Sequence, residues 1–349
     1  MNELRRSWVG ALALAAALSF PWLAWGETPY FEGKHITYTI SNSPGGGMDA
    51  TARAIAQLLK RYLPGDPTMV VSNRPGGSHI VGNNWFVEKA QRDGTDMLYT
   101  ASTVIDTFNR GGDNVRYDPR TYEYIASLKL GEQIVFARPQ AIPQIYDPSK
   151  PAAVVGDTDG IRTPVAITVM AKRYLGQNYR WTIGYPGGNE LQLALQKGEI
   201  DVWGTKNQSL LDTLVGGGVA KPVLQAGQHR RSDYPDTPTL WELLDKAGNM
   251  PDLERQAFDF WMAGEPFDHI LALPPATDPK VVGIVRESFG KMTKDPEFWK
   301  LVAAVMGPAI TPISGPETKE LMVKATTVSE AARKKLKEIR AEYQLPAGD

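Results

Sequence analysis

Residues 36–63, ITYTISNSPGGGMDATARAIAQLLKRYL, decide the fold. Ile36, Tyr38 and Ile40 alternate with Thr37 and Thr39, the two-residue period of a half-buried strand. Pro44 and three successive glycines within residues 41–47 end that strand in a tight loop, where no Cβ keeps a ligand from the backbone N–H groups. Ala52, Ile55, Ala56, Leu59 and Leu63 then recur at helical spacing, with Arg53, Lys60 and Arg61 on the other side. A strand, a glycine loop and a helix N-terminus form an anion site, because free N–H groups and the positive end of the helix dipole converge there. The alternative is a βα turn that needs glycine for geometry alone.

Working outward, the same design recurs. Residues 68–72 form a second strand, followed by the glycine-rich loop 73–82 (NRPGGSHIVG) and a helix through Trp85, Phe86 and Ala90. Residues 97–101 form a third strand ending at Ser102-Thr103. Glycine and small polar residues thus sit at the C-terminal ends of consecutive strands, the edge where open α/β sheets bind ligands. Residues 124–137 read as one or two strands. Residues 152–156 are a strand ending in DTDGIRT before a helix over 164–175. The strand 181–185 leads through Pro186-Gly187-Gly188-Asn189 into a helix over 190–197, closed by Gly198, and a strand over 199–203. The βα logic is therefore repeated in a second unit. Towards the C-terminus, 258–263 and 269–273 read as strands. Residues 278–292 and 316–345 read as helices, the first capped by Asp278 with Pro279 at its first position.

A chain of 349 residues has room for two domains. Its 38 basic and 39 acidic residues leave a formal net charge of −1, which argues against nucleic-acid binding and makes any anion site a local one. Residues 1–26 read as a signal peptide. Arg5 and Arg6 precede the apolar run 8–20, and Ala24-Trp25-Gly26 supplies the cleavage site before Glu27. The alternative, an uncleaved anchor, has to span across Ser19 and Pro21. With no cysteine, lipid-modified cysteines, disulfides and thiolate metal sites are excluded, and a soluble periplasmic protein is expected.

Enzyme signatures fail. Gly45-Gly46-Gly47-Met48-Asp49-Ala50 fits G-x-G-x-x-A, but the acid needed about 20 residues on is replaced by Ser72 and Asn73. No phosphate-binding loop with its lysine occurs, and residues 76–80 lack the closing glycine of a nucleophile elbow. His35, His79, His229 and His269 are scattered without a ligand-like pair. The expectation is a binding protein, not an enzyme, without cofactor or metal.

Taken in order, these motifs resemble the extracytoplasmic solute-binding receptors of tripartite tricarboxylate transport systems, the Bug proteins, over nearly the whole mature chain. SPGGGMDATAR resembles their first loop through Gly45, Gly46, Asp49, Ala52 and Arg53. In NRPGGSHIVG, Asn73, Pro75, Gly76 and Gly82 match, while Gly77, Ser78 and His79 stand where Ala-Gly-Gly is usual. DGTDMLYTAS, IGYPGGNELQLALQKGEID and YPDTPTLWE resemble three further segments.

The resemblance implies a two-domain α/β periplasmic-binding-protein (Venus flytrap) fold, each domain a mixed sheet flanked by helices, with two crossovers. Residues 27–130 and 258–349 are expected to form domain 1, and 131–257 domain 2. It implies a monomeric receptor that captures a small carboxylate between the domains and delivers it to the membrane subunits of a tripartite tricarboxylate transporter. A ligand-sensing role with a membrane signalling partner, or a secreted α/β enzyme, are the alternatives. First-domain contacts carried over are Asn42, Ser43, Gly45, Gly46, Gly77, Ser78, His79, Ser102 and Thr103, with Asp49 shaping the first loop. The second domain would use Thr163, Gly187, Gly188 and Asn189. Two departures stand out. Arg162 places a cation near the cleft that could pair with a second carboxylate, or simply be solvated. His79 replaces a glycine and could donate an imidazole N–H.

Overall fold

The computed structural model describes residues 28–45, 47–248, 250–307 and 310–346; the expected signal sequence and Gly46 lie outside them. β1 (His35–Ile40) leads into α1 (Gly47–Leu59), β2 (Thr68–Asn73) into α2 (Ile80–Lys89), and β3 (Asp96–Ala101) into α3 (Thr103–Arg110). From β4 (Glu123–Lys129) the chain crosses to β5 (Ile134–Ala137) and α4 (Ile142–Ile145). A second series follows: β6 (Ala153–Gly156), α5 (Thr163–Leu175), β7 (Tyr179–Thr182), α6 (Gly188–Lys197), β8 (Val202–Thr205), α7 (Gln208–Leu211), β9 (Lys221–Gln225), α8 (Leu240–Ala247) and α9 (Asp252–Trp261). The chain returns to β10 (His269–Leu273), α10 (Pro279–Met292), α11 (Pro296–Met306), β11 (Thr311–Ser314) and α12 (Gly315–Thr326), and ends in α13 (Glu330–Glu342).

The strands form two mixed sheets, ordered β11-β4-β10-β3-β1-β2 and β7-β6-β8-β5-β9. Each holds three parallel strands with the first in the middle. Beside the third strand lies a reversed one, β10 or β5, followed by a strand antiparallel to it, β4 or β9. In both sheets the reversed strand is the one that the chain delivers on arriving from the other sheet. This is the expected α/β, two-domain periplasmic-binding-protein architecture, and it turns the C-terminal ends of β1–β3 and of β6–β8 towards a common edge.

Strand alternation places the cores. Tyr99 and Leu271 face α1, α10 and α11, while their neighbours Leu98 and Ile270 face the opposite side with Phe86, Tyr122 and Tyr124. In the second sheet Val135, Ala137 and Val155 pack under α5, and Ile134, Phe136 and Val154 under α6.

Two expectations change at the C-terminal end. Residues 258–263, read as a strand, lie largely in α9, where Ala257, Phe258 and Trp261 share one buried face; an apolar run this short does not reveal its own period. The helix expected over 316–345 is two helices, because Ser329 starts a new one by accepting a hydrogen bond from the Ala332 N–H at 3.1 Å. α13 and the residues after it send Leu336, Ile339 and Leu345 into the second core. The chain therefore crosses between sheets three times instead of twice, and the expected division at 257/258 falls inside α9. Among the described residues no helix is long and apolar enough to cross a membrane.

Candidate functional site

The first glycine loop is built around Asp49, whose carboxylate accepts from the Gly45 N–H (3.0 Å), Arg53 Nε (2.9 Å) and Asn73 Nδ2 (2.8 Å). Asn73 also donates to the Asn42 carbonyl at 2.9 Å, tying the first loop to the start of the second. The Arg53 hydrogen bond, joined by those from Gly45 and Asn73, outweighs burial and holds the Asp49 carboxyl at about 2. Asp49 is 4% exposed and committed to the loop's shape. Asn42 caps its own loop by accepting from the Ser43 N–H, and Ser43 and Gly45 are exposed at the strand ends.

Four successive residues of the second loop are left-handed. Gly76, Gly77, Ser78 and His79 have φ of 129°, 56°, 52° and 76°. Ser78 and His79 are not glycines, so they hold this backbone at a cost. His79 recovers part of it, since its Nδ1 lies 2.9 Å from Ser41 Oγ, which also donates to Thr100 Oγ1. Burial lowers the His79 pKa against that hydrogen bond, which favours the neutral imidazole. Ser78 is exposed.

Between the sheets lies a cleft of about 380 Å³. From the first sheet it takes Ser102 and Thr103, at the start of α3, and Asp106 one turn further along. From the second it takes Asp157, which follows β6, then Arg162 and Thr163 at the start of α5, and Gly188 at the start of α6. Trp203 and Trp261 supply apolar wall; Trp203 packs edge-on against Phe136, and Trp261 donates to the Ile161 carbonyl at 2.8 Å. Thus Ser102, Thr103, Arg162, Thr163 and Gly188 meet in one cleft. Asn42, Ser43, Gly45, Gly77, Ser78 and His79 stand along the same sheet edge outside its wall, as do Gly187 and Asn189 beside Gly188.

The cleft also holds charges that sequence reasoning missed. Lys206, just after β8, pairs with Glu265 and Asp268 at 3.2 Å each. Burial opposes its charge, but the two carboxylates win and raise its pKa. Glu265 also accepts from Thr163 Oγ1 (2.8 Å) and the Gln133 N–H (3.3 Å), and Asp268 from the Leu130 N–H (2.7 Å). One ionic cluster therefore binds two of the crossing segments together, and it occupies the expected ligand residue Thr163. Burial pushes Asp268 up to about 6 against the pull of Lys206, and Asp106 up to about 7 against Arg110. Arg162 is exposed and within electrostatic reach of Asp106 and Asp157. The available signal was the charged segment 265–268 dividing two apolar runs. Among the described residues, no cluster of His, Cys, Asp and Glu could hold a metal ion.

No family profile matches the chain. A curated protein of Pseudomonas sp. (strain P51), a UPF0065 protein in the tcbD-tcbE intergenic region, is 34% identical over 79 residues, a match covering 22% of this chain and only 23% of that protein. Solved structures share the fold. A TctC solute-binding protein from Polaromonas has a TM-score of 0.64 at 17% identity, over 84% of this chain and 95% of its own. The periplasmic binding protein BugD has 0.59 at 19%, over 89% and 98%. R. palustris Rpa4515 with adipate has 0.61 at 14%, over 89% and 97%. The first two of these structures are solute-binding proteins by name, and all three share the two-sheet fold of this chain.

Proposed function

We propose that the chain is a solute receptor of the tripartite tricarboxylate (Bug) type, exported to the periplasm, which takes a small organic acid between its two sheets and passes it to membrane transporter subunits. The observation that carries this reading is the cleft itself. Strand ends and helix starts of both sheets face one another across it, with the hydroxyl residues Ser102 and Thr103 at the first turn of α3. That adipate occupies Rpa4515, a protein of the same fold, supports a carboxylate ligand. The two units we assign are 28–130 with 263–326, and 131–262 with 330–346. Of the carried-over residues, Ser102, Thr103 and Gly188 line the cleft, and to these we assign contact with the ligand. The two glycine loops close over it when the units approach, and Asp49 holds their shape.

A thermal-shift screen of mono-, di- and tricarboxylates tests this. A ligand at 100 times its Kd adds about 2.7 kcal/mol of stability. Small-angle scattering should show a smaller radius of gyration at saturation, because the units close on the ligand. A screen without any stabilising acid, or an unchanged scattering profile with a bound one, would remove the receptor reading.

A further inference from the structure

Besides the cleft, a groove of about 730 Å³ runs between the two units, and the crossing segments border both. Along the first crossing the bordered side alternates. Leu130 and Gln133 border the cleft, Lys129 and Glu132 the groove. Along the second, Gly264 borders the cleft, Ala263 and Pro266 the groove, and Met262 and Glu265 both. These two segments are therefore a partition with a cavity on either side. One wall of the groove is α12 of the first unit, through Leu321 and Lys324, and the other is α9 of the second, through Gln256 and Asp259. Two bodies that turn about such a partition approach on one side by separating on the other.

The third crossing lies differently. Thr327, Val328 and Ser329 join α12 to α13 and, among the described residues, border the groove but not the cleft. Both ends of this link are fixed. The Thr327 N–H donates to the Lys324 carbonyl at 3.4 Å, and Ser329 Oγ accepts from the Ala332 N–H at 3.1 Å. Beyond those caps, Met322 is buried in a core of the first unit and Ile339 in that of the second. The link is already drawn out, with Thr327 at φ −110°, ψ 97° and Ser329 at φ −65°, ψ 144°. The four steps from Thr326 to Glu330 can reach at most about 14 Å. We propose that the groove widens as the cleft closes, and that residues 327–329 are a strap that stops this movement and so fixes how closely the two units approach a ligand.

The inference rests on the receptor reading, and the test separates the two. The chain has no cysteine, so nitroxide labels can be placed one pair at a time. Gln256→Cys with Lys324→Cys, both exposed, spans the groove. Val81→Cys with Leu193→Cys, exposed on α2 and α6, spans the units on the side of the cleft. Pulsed EPR would read both distances without acid and with malate, adipate or citrate, and calorimetry would follow binding. With an acid that binds, the second distance should shorten and the groove distance lengthen by about 2 Å or more. Four glycines inserted between Val328 and Ser329 should let the groove distance lengthen further with the same acid, and a two-glycine insertion is the milder second variant. The label pairs need neither insertion. A bound acid that leaves the groove distance unchanged or shorter would overturn the inference and leave the receptor reading intact. Equal groove distances with and without the inserted glycines would overturn the strap. Failure of all three acids to bind would overturn both readings.

Discussion

Ser78 and His79 hold left-handed backbone in which a Cβ crowds the preceding carbonyl, at roughly 1–2 kcal/mol per residue. These are two of the positions where the resembling receptors carry glycine, so the motif's glycines and the observed φ angles explain each other. The two residues differ in what they gain in return. Ser78 is exposed, while His79 bonds Ser41 across the strand ends. Ser78→Gly should therefore stabilise the protein by about 0.5–1 kcal/mol, after the extra chain entropy of glycine, and raise its melting midpoint by roughly 1–3 °C. His79→Gly should gain less, because the Ser41 hydrogen bond goes with it. Calorimetric melting of both variants checks the order; a lower midpoint for Ser78→Gly would mean that the loop is not left-handed there. Glycines and turn residues were legible in the sequence because backbone geometry alone dictates them. Lys206, Glu265 and Asp268 were not, since partners about 60 residues apart become neighbours only once two sheets and their crossings are in place.

At the scale of elements, strand starts and helix caps were legible wherever the cue is local. Asp278 accepts from the Lys280 N–H at 2.7 Å ahead of Pro279, as the sequence implied. The errors fall where the deciding contact is distant. α9 and α13 are short amphipathic helices whose buried faces exist only because each packs against the other and against α5. Ile339 is 1% exposed in that packing. Ile339→Ala should cost about 2–5 kcal/mol in urea unfolding. Lys334→Ala, on the exposed face of the same helix, should stay within about 0.5 kcal/mol of the parent. Similar small losses for both would detach α13 from the second unit and restore the division expected from the sequence.

Across the whole molecule, residues 130–133 and 262–268, two of the segments that cross between the sheets, meet at one ionic cluster. Lys206 is the only charge there that compensates two carboxylates among the described residues, and its side chain is 10% exposed. Lys206→Met keeps the length of the stem but leaves Glu265 and Asp268 facing each other with little solvent. Removing one partner of such a buried group costs about 3–5 kcal/mol. The loss should depend on pH with a definite sign. Asp268 already sits at about 6, raised by burial ahead of the opposing Lys206. A carboxyl raised above its unfolded value contributes stability that is present below the unfolded pKa and lost as pH rises through the folded one. Without Lys206 the Asp268 carboxyl rises further, so protonation at pH 5 relieves the variant, and this relief is smaller at pH 8. Unfolding free energies of parent and variant at the two pH values should differ more at pH 8, by about 1 kcal/mol or more. An equal deficit at both would mean that Glu265 and Asp268 are relieved by water, and that the crossing segments are joined by backbone contacts instead of by charge.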